Sequence, residues 1–239
     1  MDSGNIGFVL LCAAFVFVMT PGLAMFYGGL VRKKNVVNTM MTSIFIIGVG
    51  IVMWVLFGYS LSFAPSGNAF IGDFRWLGLE GVSLTEGYTD DASIPNMVFS
   101  AFQMMFAVIT PALITGAVAG RMKFKSIFVF TIFWSLIVYY PLAHMVWGQG
   151  GLLGADGIGA LDFAGGDVVH ISSGVSALVL CILLGKRHDY EHSIYRIHNI
   201  PTVVLGASLL MFGWFGFNAG SALAADGLAD PVSYTHLTL

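Results

Sequence analysis

Six mostly apolar stretches divide this chain, each near or above the ~20 residues that a helix needs to cross a bilayer. They cover about 6–31, 39–63, 96–120, 124–147, 168–185 and 200–224. The fifth is close to the shortest length that spans. Thr20-Pro21-Gly22 interrupts the first and is expected to kink it or open it locally. Short polar segments join the stretches, apart from two longer ones at 64–95 and 148–167. The pattern predicts an all-α polytopic membrane protein with one transmembrane domain over 1–225. Residues 226–239 are polar and β-prone with no helical period, and are expected to be a truncated, non-native tail.

Composition agrees with the pattern. The 239 residues are 57% hydrophobic and 10% charged, against about a quarter charged in a soluble domain. A net charge of -3 says little about nucleic acid, and no basic run suggests it as a partner. The opening Met1-Asp2-Ser3 lacks a basic region, so the first stretch reads as a retained helix and not a cleaved signal. Cys12 and Cys181 sit in apolar surroundings and read as small buried hydrophobes. Glycine pairs at Gly116–Gly120 and Gly216–Gly220 have the spacing that lets membrane helices approach closely.

Charge placement sets the orientation. Arg32, Lys33, Lys34, Arg121, Lys123, Lys125, Lys186, Arg187 and Arg196 lie in alternate connections, with Arg75 the exception. The other connections hold Asp73, Glu80, Glu86, Asp90, Asp91, Asp156, Asp162 and Asp167. The positive-inside rule then puts the N-terminus outside the cell membrane. The acidic 64–95 segment serves solubility first and cation attraction second. The Gly-rich 148–167 segment is followed by no Gly-Lys-Ser/Thr, so a phosphate-binding loop has no support.

Few residues here carry chemistry. His170 is an ionisable side chain inside an apolar span, which is a functional hypothesis by default. A neutral imidazole can relay a proton or hydrogen-bond an uncharged amine; the alternative is a histidine satisfied by a neighbouring helix. Trp147 ends the fourth stretch. It is either an interfacial belt residue or a face for a cation. Phe102 and Phe106 share a helix face, as do Trp214, Phe217 and Ser221 at i, i+3 and i+7; each stripe could line a narrow passage or simply pack. Asp162 reads as an N-cap or as a buried carboxylate favouring a cation, with Asp167 as the alternative cap. His144 reads as structural. His188, His192 and His198 loosely invite a metal, but a solvated polar loop explains them, and no metal or cofactor is expected. A haem enzyme using His144 and His170 leaves the Phe and Trp motifs unexplained, and Ser221 has no basic partner for a hydrolase.

Five segments fit together: Pro21-Gly22-Leu23-Ala24-Met25-Phe26-Tyr27-Gly28-Gly29-Leu30-Val31-Arg32, Phe102-Gln103-Met104-Met105-Phe106-Ala107, His144-Met145-Val146-Trp147-Gly148, Asp162-Phe163-Ala164-Gly165-Gly166-Asp167-Val168-Val169-His170, and Gly213-Trp214-Phe215-Gly216-Phe217-Asn218-Ala219-Gly220-Ser221. Together they resemble the ammonium transporter (Amt/Mep/Rh) family, bacterial or archaeal type. The resemblance implies that Trp147, Phe106 and Ser221 recruit ammonium, that Phe106 and Phe217 form a stacked gate, and that His170 is the first of two pore histidines. It makes Asp162 a supporting carboxylate, with Phe102, Trp214 and Phe215 as neighbours of the pathway. The family fold is an inverted five-plus-five repeat in a homotrimer, of which this chain would hold the first five helices and the first of the second repeat. The expected partners are ammonium or ammonia, the lipid bilayer, and a P-II signalling protein that is doubtful for so short a chain. An ammonium sensor of the same fold is the alternative output.

Overall fold

A computed structural model describes residues 1–239 except 66, 156, 188, 189, 192, 193 and 239, and describes 235–238 by backbone only. Asp156, His188 and His192, weighed above, lie outside the described residues. Six helical spans dominate: α1 Ser3–Leu30, α2 Lys33–Phe63, α3 Asn96–Val118, α4 Phe124–Trp147, α5 Gly166–Leu184 and α6 Ile200–Ala222. No strand occurs among the described residues. A bilayer core offers the backbone no water, so each span must satisfy its own N–H and C=O groups, and the helix does that.

The spans differ from simple rods in ways hydropathy does not show. α1 continues as one helix through Pro21, without the local opening that Thr20-Pro21-Gly22 allowed. α2 starts with a short 3-10 turn at Lys33–Asn35. Single π-helical stretches interrupt α2 at Trp54–Gly58, α4 at Ser135–Tyr139 and α5 at Gly166–Ile171. Residues expected as a non-helical tail form α7, Ala229–Thr238. Asp226 turns the chain there, its carboxylate accepting from Leu228 N, and Asp230 lies in the first turn where the helix dipole favours it.

α1 and α6 make the most extensive helix contact, and α1 also packs on α3. The approach of α1 to α6 requires glycine. A Cβ at Gly206 would strike Phe26 N and lie 2.6 Å from Gly22 O. The Gly216–Gly220 pair does what its spacing suggested: Gly216 seats against Cys12 and Phe15, and Gly220 against Cys12 and Phe102.

The long 64–95 segment is folded, not trailing. Ser60 Oγ donates to Asp73 O and accepts from Trp76 N. Trp76 stacks on Tyr59, and Tyr88 stacks on Phe99 at 4.8 Å. His144 is fully buried, its two ring nitrogens lying 3.0 Å from Ser62 O and 2.8 Å from Asn68 O. It therefore pins this segment to α4, the structural role expected of it. The segment closes the acidic end of the bundle and forms part of the wall of the cavity described next.

Candidate functional site

A cavity of about 650 Å³ opens at the acidic end of the bundle. α3 supplies one wall because Phe99, Gln103 and Phe106 fall at i, i+4 and i+7, one face of a helix. α4 supplies Trp147, the start of the α5 approach supplies Phe163, and the end of α6 supplies Ser221. Asp91 and Asp226 sit at its exposed rim.

Below it the rings stand in series. Phe106 lies edge-on to Trp147 with centroids 6.1 Å apart. Phe106 meets Phe217 at 4.5 Å, and both rings are buried at 1–2% exposure. Phe217 in turn lies 5.9 Å from the His170 imidazole, and Trp214 lies 6.3 Å from it. Phe106 lines the cavity whereas Phe217 and His170 do not. Phe217 thus stands between Phe106 and His170, and the far side of His170 is exposed. Gly165, beside Phe217, holds a left-handed backbone (φ 116°), and a Cβ there would press on Val169.

Asp162 turns out to organise the start of α5. Oδ1 accepts from Gly165 N at 2.5 Å and Gly166 N at 2.7 Å; Oδ2 accepts from Asp167 N at 2.8 Å and Val168 N at 2.9 Å. One carboxylate thus satisfies four N–H groups that an uncapped helix start leaves orphaned. Asp162 is the cap, and Asp167, the alternative, is one of its donors. The backbone oxygen of Asp162 also accepts from Trp147 Nε1 at 2.8 Å, so the same residue fixes the indole. Ser221 Oγ donates to Phe217 O at 2.8 Å.

Trp147, Phe106, Ser221, Phe217, His170, Trp214 and Asp162 are thus brought into one column. Phe102 stands behind it, packed on Phe106 at 4.9 Å and against Gly220. Phe215 is turned away and exposed. Gln103 and the aromatic wall of Tyr88 and Phe99 went unassigned in the sequence reading. The available signal was an amide inside an apolar helix, on the same face as Phe106.

A model of the Ammonium Transporter Family matches residues 7–239. The chain is 53% identical over 229 residues to an ammonium transporter of Bacillus subtilis, covering 96% of this chain and 55% of that protein. An ammonium transporter of Aquifex aeolicus is 46% identical over 228 residues, covering 95% and 52%. Among solved structures, Candida albicans Mep2 aligns with a TM-score of 0.83 at 34% identity, over 94% of this chain and 50% of that one. A chain titled Sensor Amt Protein aligns at 0.80 with 29% identity, over 94% and 56%. The chain spans about half the length of the relatives it matches.

Proposed function

The chain belongs to the Ammonium Transporter Family, and from that membership and the column just described we propose that the full-length protein moves ammonium, as ammonia, through this site. The observation that carries the reading is the series of cavity, Phe106, Phe217 and His170. A bare cation at the bilayer centre costs about 3–17 kcal/mol depending on the method. A passage for ammonium must therefore gather the cation at its mouth and then separate the proton from the ammonia.

Each part of the column suits one step. The faces of Trp147 and Phe106 attract a small cation by roughly 0.5–2 kcal/mol, and Ser221 adds a hydroxyl oxygen. The Phe106–Phe217 pair, buried and 4.5 Å apart, would exclude a hydrated ion. His170, beyond it, offers an imidazole that can take a proton or hydrogen-bond ammonia. Potassium has no proton to give up and no N–H to donate, so the same route rejects it. Asp162 contributes by holding Trp147 and the start of α5 in place.

Nine of the ten Lys and Arg residues fall in the connections at one end of the spans, which supports a cytoplasmic basic end and an outward-facing cavity. Family resemblance alone carries the homotrimer and the P-II partner. The test is uptake by the full-length protein in proteoliposomes. His170→Leu should abolish or greatly reduce ammonium transport while leaving the protein in the membrane. Unchanged uptake in that variant would remove His170 from the mechanism.

A further inference from the structure

Trp147 is the last residue of α4, so contacts outside the helix must hold the chain around it if the indole is to keep its place. One tie is the bond from Trp147 Nε1 to Asp162 O. A second runs through Gln149, two residues further on, which meets Tyr88 of the 64–95 segment twice. The Gln149 backbone N–H donates to the Tyr88 hydroxyl at 3.0 Å, and Gln149 Nε2 donates to Tyr88 O at 2.8 Å. Tyr88 in turn lies flat on Phe99 of α3, with centroids 4.8 Å apart and planes 7° apart, and Phe63 stands edge-on to it at 5.5 Å. Both Tyr88 and Phe99 line the cavity.

Two connections remote in sequence thus meet through one residue pair beside the indole. The strip 88–94 carries Asp91 at the rim, and Asp2 N donates to Ser93 O near its other end at 2.8 Å. Cation–π attraction requires the cation within about 6 Å of the ring centroid, so a small drift between this strip and the end of α4 weakens capture. Phe106, Phe217 and His170 stand on α3, α6 and α5, whose own packing holds them. We propose that Tyr88 and Gln149 form a clamp that positions Trp147 and sets how well the cavity captures ammonium, with no effect on passage beyond it. This inference rests on the cavity being the entry site for ammonium, as proposed above.

The test uses the full-length protein in proteoliposomes, with uptake rate measured against ammonium concentration. Tyr88→Phe keeps the ring and its stacking and removes only the acceptor for Gln149 N. Gln149→Ala keeps that bond and removes the donor to Tyr88 O. Each single variant should raise the half-saturating concentration about twofold, because the other bond still holds the strip. The double variant should raise it about tenfold or more, beyond the roughly fourfold of two independent losses. The maximum rate should stay at the native value in all three, which general damage to the fold would not allow. A double variant no worse than the product of the singles overturns the clamp, as does a lowered maximum rate at an unchanged half-saturating concentration. Should the double variant fail to assemble, amide exchange over 147–151 is followed by mass spectrometry in Tyr88→Phe. Faster exchange is expected there, and native exchange overturns the proposal. Trp147→Leu, run in parallel, separates the two levels. If it raises the half-saturating concentration and the clamp variants do not, only the clamp falls; if none does, the entry site falls with it.

Discussion

Replacing Asp162 with Asn tests whether this carboxylate works as a cap or as a charge. In the native site its two oxygens each accept two backbone N–H groups. Asn keeps one oxygen, enough for the Gly165 and Gly166 donors. The other position becomes NH2 and faces the N–H groups of Asp167 and Val168, donor against donor. Each amide left without an acceptor costs about 1–3 kcal/mol, so the pair costs about 2–6 kcal/mol. That is a large part of a typical folding stability of about 5–15 kcal/mol. The damage also reaches the cavity, because the Asp162 backbone oxygen holds the Trp147 indole. The assay is thermal unfolding of the full-length protein in nanodiscs, with tryptophan emission recorded beforehand. The expected result is a lower midpoint together with a change in native emission as the indole loses its partner. A variant with unaltered midpoint and emission but no transport would refute the cap, and leave the carboxylate acting on the permeant cation through charge.

Two glycines of equal chemistry should respond oppositely to alanine. Gly206→Ala forces a methyl into the α1 backbone and should cost roughly 1–3 kcal/mol, whereas Gly174→Ala points into open space and should be neutral or gain up to about 1 kcal/mol; comparison of their unfolding midpoints checks both. Alkaline pH offers a further test. Burial pushes the Tyr88 phenol up to about 12, while the amide of Gln149 that donates to it pulls the other way. An unfolded tyrosine ionises near 10, so the stability this gives is complete below that value and drains away as pH rises toward 12. Tyr88→Phe should reduce the fall in unfolding midpoint across this window, and an identical fall in both proteins would contradict the assignment.

Hydropathy alone gave the six spans because a bilayer demands long apolar runs with few interruptions, and that demand is written locally. His170 was legible for a related reason: a titratable side chain in such a run is costly and stands out. The column of Phe106, Phe217 and His170 was not legible from spacing, since three helices supply its rings and each stripe alone fits ordinary packing. The resemblance to a known family named those residues, and the geometry shows them in contact. Asp162 was read as a cap or a supporting carboxylate. That one side chain would serve four amides depends on how the backbone of 162–168 folds around it, which no hydropathy pattern encodes. Tyr88 and Gln149 escaped because they lie in separate connections, and no pattern within either says that the two meet. The helix at Ala229–Thr238 escaped because its sequence carries no apolar period.

The tight seating of α1 against α6 has a consequence for tempo. Phe217 rides on α6 and Phe106 on α3, and α1 packs on both helices. Glycine contacts at Gly206, Gly216 and Gly220 leave α6 little freedom to slide or tilt. Separating the two rings by moving helices would require this backbone-to-backbone seam to open, a rearrangement on the microsecond-to-millisecond scale. Turning a phenyl ring about its own side-chain bonds needs no such opening. With the frame held still, rotation about the side-chain bonds is the motion this arrangement leaves to the two rings.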